Sequence, residues 1–381
     1  MKKNSKIGNQ KQISPKIDDK FFINLDFVEI IKSGKKKVVD DAPPVQACLS
    51  IHDLESMAKR NVTKEAWDYL VSGADDEVTM RENAAAFRRV WLVPRILVNV
   101  SNLDLSTKVL GRNFRLPLYI TACALGKLYH PDGEITLTRG AKASGIAQMG
   151  PTLGSCSMKD IAREARKLAG KGAMQPLWWQ LYVNKDRDLT KKIVQTAEEL
   201  GYQGLFITVD APQLGRRERD MRNKAPTAAD VQKGQKDKVD RSQGTARAIS
   251  SFIDASLNWD DLPWFRSITR MPIFLKGVQC GADAVRAAKC GYVNGIVVSN
   301  HGGRQMDYCR SGVECLLEIT NALQAEGLEV RVLRVVFVCF AQMSLSQIPK
   351  AKGRAAMRHL SGAIRLCLRP NCASRHYSFK C

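Results

Sequence analysis

The chain lacks long apolar runs, close cysteine pairs and, over residues 330–381, any acidic side chain. A membrane-spanning helix needs about 18 or more consecutive apolar residues, and no run approaches that length, so no transmembrane segment is expected. The 11 cysteines include no C-x-x-C pair, which argues against the usual zinc spacings and against a disulfide framework. We therefore expect free thiols and no bound metal.

The net charge of +21 is unevenly distributed. Residues 1–41 carry +4 and residues 330–381 carry +10, which leaves +7 for the long central part. Aromatic residues are not interleaved with the basic runs, as a groove for single-stranded nucleic acid would require. Nucleic-acid binding is therefore not expected, and the central charge suits small anionic ligands.

A Gly-rich dinucleotide fingerprint is also missing after the first strand-like run, which disfavours a doubly wound dinucleotide-binding sheet. Five short apolar runs instead lead into polar residues of the kind that catalysis uses. They are 118–121, 178–182, 205–210, 273–276 and 295–298. Helix-like segments such as 160–168, 189–200 and 282–289 lie between them, and this alternation indicates parallel strands covered by helices. We predict an α/β fold, a (β/α)8 TIM-type barrel with its active site at the carboxyl ends of the strands.

The stretch from Ser299 to Gln305 follows the last of these runs and reads Ser-Asn-His-Gly-Gly-Arg-Gln. His301 at the end of an apolar run can act as a base near neutral pH, and Arg304 can bind a carboxylate through two hydrogen bonds. The glycine pair allows a sharp turn or a close approach to a ligand. The stretch therefore indicates a site for an acidic substrate, with an ordinary surface pair as the alternative.

Six motifs together resemble, in order and spacing, the FMN-dependent 2-hydroxy acid dehydrogenases and oxidases. They are Ala66-Trp67-Asp68-Tyr69, Gln180-Leu181-Tyr182-Val183, Thr208-Val209-Asp210-Ala211-Pro212, Leu214-Gly215-Arg216-Arg217-Glu218, Leu275-Lys276-Gly277-Val278 and residues 299–305. Within that family the chain is most similar to flavodehydrogenase domains of the flavocytochrome b2 type. The likeness runs from about residue 47 to 329.

The resemblance implies FMN as cofactor, a small 2-hydroxy acid as substrate, a cytochrome as electron acceptor and a homo-oligomer. L-Lactate is the expected substrate, because Leu153 stands where glycolate oxidases carry a bulkier Trp. A mitochondrial location is implied by the family. The acids within residues 1–41 fit a mitochondrial presequence poorly, and the lack of a clear targeting segment leaves a cytoplasmic location open.

Roles for individual residues also follow from the resemblance. His301 matches the catalytic base, and Asp210 matches the carboxylate that orients it. Arg304 and Tyr69 match the anchors of the substrate carboxylate, with Arg217 as a helper. Tyr182 matches the phenol that contacts the substrate oxygen.

The cofactor residues implied by the family lie at the ends of the other strands. Lys276 matches the charge that supports the reduced flavin, and Gln180 and Thr208 match ring contacts. The backbone of Thr121, Ala122, Cys123 and Ala124 would lie under the flavin, with Ser299 as a further contact. Two residues depart from the family pattern: Cys123 replaces a common Thr, and Pro151 replaces a common Ser.

Three parts are expected: a flexible basic arm over 1–45, the dehydrogenase barrel over 46–329 and an atypical basic segment over 330–381. A long mobile excursion is expected over 216–247. Residues 332–340 are strand-like, but the family's Asp-Gly-Gly and Gly-Arg loops, which bind the flavin phosphate, do not follow. A shifted reading frame or an alternative splice would produce this ending. We therefore predict a barrel incomplete after strand six or seven, and two functions stay open: an active flavin dehydrogenase, or an inactive barrel remnant that binds FMN weakly.

Overall fold

The main sheet has seven parallel strands whose spatial order follows the chain. The computed structural model describes residues 47–223, 252–329 and 331–334. A hairpin of β1 (Thr107–Val109) and β2 (Arg112–Phe114) precedes the sheet. The strands of the sheet are β3 (Tyr119–Ile120), β4 (Ala147–Gly150), β5 (Leu177–Leu181), β6 (Leu205–Thr208), β7 (Ile273–Val278), β8 (Gly295–Val298) and β9 (Arg331–Arg334).

Ten α-helices are present in the described residues. They are α1 (Ile51–Asn61), α2 (Lys64–Val71), α3 (Val78–Ala85), α4 (Glu134–Ser144), α5 (Met158–Ala169), α6 (Arg187–Glu199), α7 (Glu218–Arg222), α8 (Leu262–Ile268), α9 (Gly281–Lys289) and α10 (Gly312–Ala325). Short 3-10 turns occur at Ala86–Arg89, Gly126–Leu128, Trp259–Asp261 and His301–Gly303. Ser50 and Asp53 form a capping box at the start of α1. None of the helices in the described residues is long and apolar enough to cross a membrane.

Apolar side chains cover both faces of the central strands, as expected for a parallel sheet packed between two layers. On the outer face the helices contribute residues such as Ile161, Val194 and Phe265. On the inner face Trp178, Phe206 and Phe274 stack side by side, with ring centroids 5.0 Å and 4.5 Å apart. Phe114 and Val297 complete this inner cluster, which therefore fills the interior below the carboxyl ends of the strands.

The predicted fold class is confirmed: a parallel α/β sheet of the TIM-barrel kind. β9 pairs with β8 and provides a seventh strand at the start of the strand-like stretch 332–340. In the part of the chain that the structure describes, β3 and β9 are the two edges of the sheet. The predicted 1–45 arm, residues 224–251 of the predicted excursion and residues 335–381 lie outside the described residues. The described part of that excursion forms the short helix α7, which begins at Glu218.

Candidate active site

The alternation of side chains along the strands brings the predicted polar residues to one end of the sheet. Successive residues of a strand point to opposite faces, so residues two apart share a face. The inward-facing Trp178, Phe206 and Phe274 are each followed two residues later by a polar group. Those groups are Gln180, Thr208 and Lys276, all at least 95% buried. The apolar cluster thus forms the floor of a polar pocket.

His301 lies between a carboxylate and a phenol in this pocket. Its Nδ1 is 2.7 Å from Asp210 Oδ1, and its Nε2 is 3.1 Å from the Tyr182 hydroxyl. Because an ionised carboxylate can only accept, we assign the proton to Nδ1, which leaves Nε2 as an acceptor for the Tyr182 hydroxyl. Burial, aided by the nearby charge of Lys276, lowers the pKa of His301 to about 4, although Asp210 acts in the opposite direction. The imidazole is therefore neutral at pH 7 and can accept a proton at Nε2.

Asp210 is held in place by the neighbouring strand. Its side chain is only 4% exposed, and Oδ2 lies 4.0 Å from the Lys276 ammonium. Burial raises the pKa of Asp210, but Lys276 and His301 outweigh that effect, and the net direction is downward. Gly277 has φ +122, and a Cβ there would lie 2.4 Å from the Cβ of Asp210. Only glycine therefore leaves room for the carboxylate at this point.

The backbone of His301 is itself unusual. Its φ is +56, in the left-handed region that non-glycine residues seldom adopt. The Ser299 hydroxyl accepts from the His301 N–H at 3.0 Å, and the side chain of Asn300 accepts from the Gly303 N–H at 3.1 Å. The amides of Asn83 and Asn300 also exchange two hydrogen bonds of 2.9 and 2.8 Å. Residues with strained backbones of this kind persist where the surroundings over-determine them, often at functional sites.

Arg304 is fixed to the end of helix α2. Its Nη2 donates to the carbonyl of Tyr69 at 2.9 Å, and its Nη1 donates to those of Leu70 and Ser72 at 2.9 and 2.7 Å. The last carbonyls of a helix lack partners within the helix, so the guanidinium satisfies acceptors that would otherwise be left over. The same group lies over the Tyr69 ring, 5.3 Å from its centroid. Arg304 and Tyr69, the two predicted anchors, therefore form one unit.

Arg217 brings a second cation into the same pocket. It is 6% exposed, and its Nε donates to the carbonyl of Arg304 at 3.2 Å. Burial, reinforced by the charge of Arg304, lowers the pKa of Arg217 to about 10. Burial raises the pKa of both Tyr69 and Tyr182, so both phenols stay protonated and can donate. Two neighbouring guanidinium groups beside protonated phenols favour an anion between them.

The remaining predicted residues offer buried hydrogen-bonding groups of the kind that a flavin ring requires. The buried Thr121 hydroxyl has no hydrogen-bond partner in the described part of the chain. Gln180 Nε2 donates to the Thr208 hydroxyl at 2.9 Å, and Gln180 Oε1 accepts from Thr152 N at 3.0 Å. A buried hydroxyl without a partner normally satisfies a ligand or water. The buried ammonium of Lys276 adds a cation beside these groups.

Ala122, Cys123 and Ala124 follow Thr121 in the loop after β3, and Cys123 is buried. Ser299 directly follows β8, and its hydroxyl accepts a hydrogen bond from the His301 N–H. No sequence motif indicates Asn83, and the stretch 299–305, which contains Asn300, does not predict that these two residues pair. Their pairing joins residues 217 positions apart and leaves no local pattern. The predicted absence of the family's flavin-phosphate loops concerns residues 335–381, which lie outside the described residues.

The fold and the residues of the pocket agree with the expectation of a barrel-type flavin dehydrogenase, and comparison with known proteins shows the family. The FMN-dependent dehydrogenase family matches residues 58–333, and the chain belongs to that family. Its cofactor is accordingly FMN.

Among relatives, L-lactate dehydrogenase (cytochrome) of Wickerhamomyces anomalus is 48% identical over 294 residues, which is 77% of this chain and 50% of that protein. The protein of the same name from Saccharomyces cerevisiae is 42% identical over 299 residues, again 77% of this chain and 50% of the relative. Human 2-hydroxyacid oxidase 1 is 38% identical, covering 73% of this chain and 76% of the relative. The chain thus spans about half the length of the first two relatives.

Solved structures give the same answer. A mutant flavocytochrome b2 with pyruvate bound superposes with a TM-score of 0.73 at 34% identity, covering 86% of this chain and 84% of the other. A mandelate oxidase mutant with (S)-mandelic acid superposes with a TM-score of 0.68 at 29% identity, covering 84% of this chain and 93% of the other. Relatives of this fold therefore include proteins solved with 2-hydroxy or 2-oxo acids.

Proposed function

We propose that the chain oxidises L-lactate to pyruvate, with His301 as the base and a cytochrome as the final electron acceptor. The observation that carries the proposal is the neutral, buried imidazole of His301, held between Asp210 and Tyr182. A base in this state can take up a substrate proton, and the adjacent carboxylate can stabilise the imidazolium that results.

Substrate binding is assigned to the cationic side of the pocket. Arg217 and Arg304 attract the carboxylate, and the protonated Tyr69 hydroxyl donates a hydrogen bond to a substrate oxygen. When substrate binds, the Tyr182 hydroxyl turns its one proton from Nε2 of His301 to a substrate oxygen, which leaves Nε2 open to the substrate hydroxyl. Arg304 can hold one orientation because its position is set by three carbonyl groups. The substrate hydroxyl would then face Nε2 of His301.

FMN, when bound, supplies the two-electron acceptor for this oxidation. Thr121, Gln180, Thr208 and Lys276 would hold its ring, and the positive charge of Lys276 would favour the anionic reduced form. The chain's own contribution is to bind the acid, remove its proton and keep water out of a buried pocket.

L-Lactate is proposed over glycolate, a smaller 2-hydroxy acid, on the basis of the loop after β4. Leu153 lies in that loop and is 9% exposed, and it is smaller than the Trp that the family resemblance places at this position in glycolate oxidases. The two L-lactate dehydrogenases named above are 48% and 42% identical to this chain, against 38% for the human 2-hydroxyacid oxidase. Both observations favour lactate.

The test is rapid mixing of the FMN-loaded protein with L-lactate. We expect flavin bleaching in the parent and a rate lower by on the order of 10²–10⁴-fold in His301→Gln. His52→Gln is the matched control, since His52 lies on α1 with a side chain 91% exposed. Bleaching at the parent rate in His301→Gln would remove His301 as the base. A parent that binds no FMN would favour the inactive barrel.

A further inference from the structure

Glu134, the first residue of α4, is a fully buried carboxylate outside the substrate pocket. Its Oε1 accepts from the N–H groups of Gly126 and Ser155, both at 2.9 Å, and its Oε2 accepts from Cys156 N at 2.8 Å. No Lys, Arg or His of the described residues forms an ion pair with it. A buried charge is costly unless it is fully hydrogen-bonded, so these three donors are what make it tolerable.

The three donors belong to two different loops. Gly126 lies in the loop after β3, whereas Ser155 and Cys156 lie in the loop after β4. Two further bonds join the same loops: Lys127 N donates to the Ser155 hydroxyl at 3.1 Å, and Leu125 N donates to the carbonyl of Leu153 at 3.3 Å. The carboxylate is therefore a bridge between the loops.

The start of α4 is also tightly packed between these loops. Gly133 has φ +51, and a Cβ there would lie 2.9 Å from Lys127 Cγ and 3.0 Å from Cys156 Sγ. The side chain of Gln148 on β4 donates to the Glu134 carbonyl at 3.1 Å. Helix α4 cannot shift without moving both loops.

We propose that Glu134 is a positioning residue that sets the separation of the two loops and so the size of substrate the pocket accepts. The loop after β3 carries Thr121 to Ala124, assigned to the flavin face, and the loop after β4 carries Leu153, assigned to the substrate. The inference rests on the proposed function. Weakening the hydrogen bonds of Glu134 to the two loops lets Leu153 move away from the flavin side, which enlarges the pocket.

The experiment compares Glu134→Gln with Glu198→Gln. Glutamine keeps the shape of the side chain, but one end is an NH2 group, which cannot accept a hydrogen bond, so at least one of the three backbone N–H groups loses its acceptor and the bridge is weakened. Glu198 is a matched control because its carboxylate also accepts from a backbone N–H, that of Arg270 at 3.2 Å, near the amino end of β7. Three quantities are measured: amide hydrogen exchange of peptides covering 124–128 and 151–156, the Kd of FMN from flavin fluorescence, and the ratio of kcat/KM for L-mandelate to that for L-lactate.

In Glu134→Gln we expect exchange in both peptides to accelerate about tenfold or more, FMN to bind more weakly, and the mandelate-to-lactate ratio to rise about tenfold. Glu198→Gln leaves all three near the parent values. Ser155→Ala removes only the hydrogen bond from Lys127 N, so it should raise the mandelate-to-lactate ratio by less than Glu134→Gln does. It replaces Glu134→Gln as the test variant if that variant does not fold.

Unchanged amide exchange in either peptide of Glu134→Gln would show that Glu134 does not bridge the two loops. Accelerated exchange with an unchanged mandelate-to-lactate ratio would show that the bridge does not control substrate selectivity. A parent without FMN or turnover is a failure of the proposed function alone. In that case accelerated exchange in Glu134→Gln still supports the bridge, because exchange requires neither flavin nor substrate.

Discussion

The buried imidazole of His301 makes folding stability depend on pH. In the folded chain its pKa is about 4, against 6.5 for an exposed histidine. Between these two values the unfolded chain binds more protons than the folded chain, so the free energy of unfolding rises with pH. Stability is therefore complete above pH 6.5 and is lost as the pH falls toward 4.

The difference between the unfolded-state pKa of 6.5 and the folded-state pKa of about 4 for His301 corresponds to roughly 3 kcal/mol in the free energy of unfolding. Most of it, roughly 2 to 3 kcal/mol, is lost between pH 7 and pH 4.5. Asp210 also makes the free energy of unfolding depend on pH, but over a lower pH range. Its pKa is lowered in the folded chain, so its contribution is lost only as the pH falls below 3.8, outside this window.

The assay is urea unfolding of the flavin-free chain at pH 7 and pH 4.5, for the parent and for His301→Gln. Other carboxylates and histidines titrate equally in both proteins, so the difference of the two pH effects isolates His301. Glutamine cannot be protonated, and the variant should lose roughly 2 to 3 kcal/mol less than the parent on acidification.

Equal losses in the two proteins would show that His301 does not have a lowered pKa in the folded chain. A larger loss of unfolding free energy in the variant would mean that Asp210 stabilises the imidazolium more than burial and Lys276 destabilise it. Either result would also remove the argument that His301 is neutral and ready to act at pH 7.

Three other changes test the rest of the pocket. Arg304→Lys should lower the free energy of unfolding by about 2–4 kcal/mol in urea titrations and raise the L-lactate concentration needed for saturation, because an ammonium cannot reproduce the planar fork bonded to three carbonyls. Tyr69→Phe should have a smaller effect. Unchanged L-lactate saturation in Arg304→Lys would make Arg217 the anchor of the substrate carboxylate. Gly277→Ala places a Cβ 2.4 Å from the Cβ of Asp210 and should cost at least about 1–3 kcal/mol in unfolding while slowing flavin reduction, so parent-like values would contradict the packing argument. Replacing residues 330–381 by a family-type ending with Asp-Gly-Gly and Gly-Arg loops should tighten FMN binding by about 10³–10⁶-fold in fluorescence titrations, whereas micromolar or tighter binding by the unaltered chain would show that its own ending holds the phosphate.

The sheet can be predicted largely because buried parallel strands are short apolar runs. The run 295–298 coincides with β8 at both ends, and the helix-like segment 282–289 starts within one residue of α9. Strand β4 is not among the five apolar runs, since a glutamine interrupts its four-residue sequence Ala-Gln-Met-Gly. It is a strand because β3 and β5 pair with it on either side, and such pairing is a tertiary effect.

Sequence reasoning identifies the residues of the site more readily than the groups that hold those residues in place. Family resemblance places His301 and Asp210 together, and their nitrogen and oxygen atoms lie 2.7 Å apart. The carbonyls that fix Arg304 and the loops bridged by Glu134 could not be predicted. Backbone acceptors carry no residue identity, and contacts between distant segments have no fixed spacing.

Charge in the pocket links substrate binding to the strength of the base. Burial, Lys276 and Arg217 all lower the pKa of His301. A carboxylate bound at Arg217 and Arg304 offsets part of that positive field, so it raises the basicity of the imidazole when a substrate proton has to be removed. The same cations therefore keep His301 neutral in the absence of substrate and strengthen it as a base once an acid is bound. A neutral ligand in the same place would lack this effect, which gives the site an electrostatic reason to act on acids in addition to the anchoring hydrogen bonds.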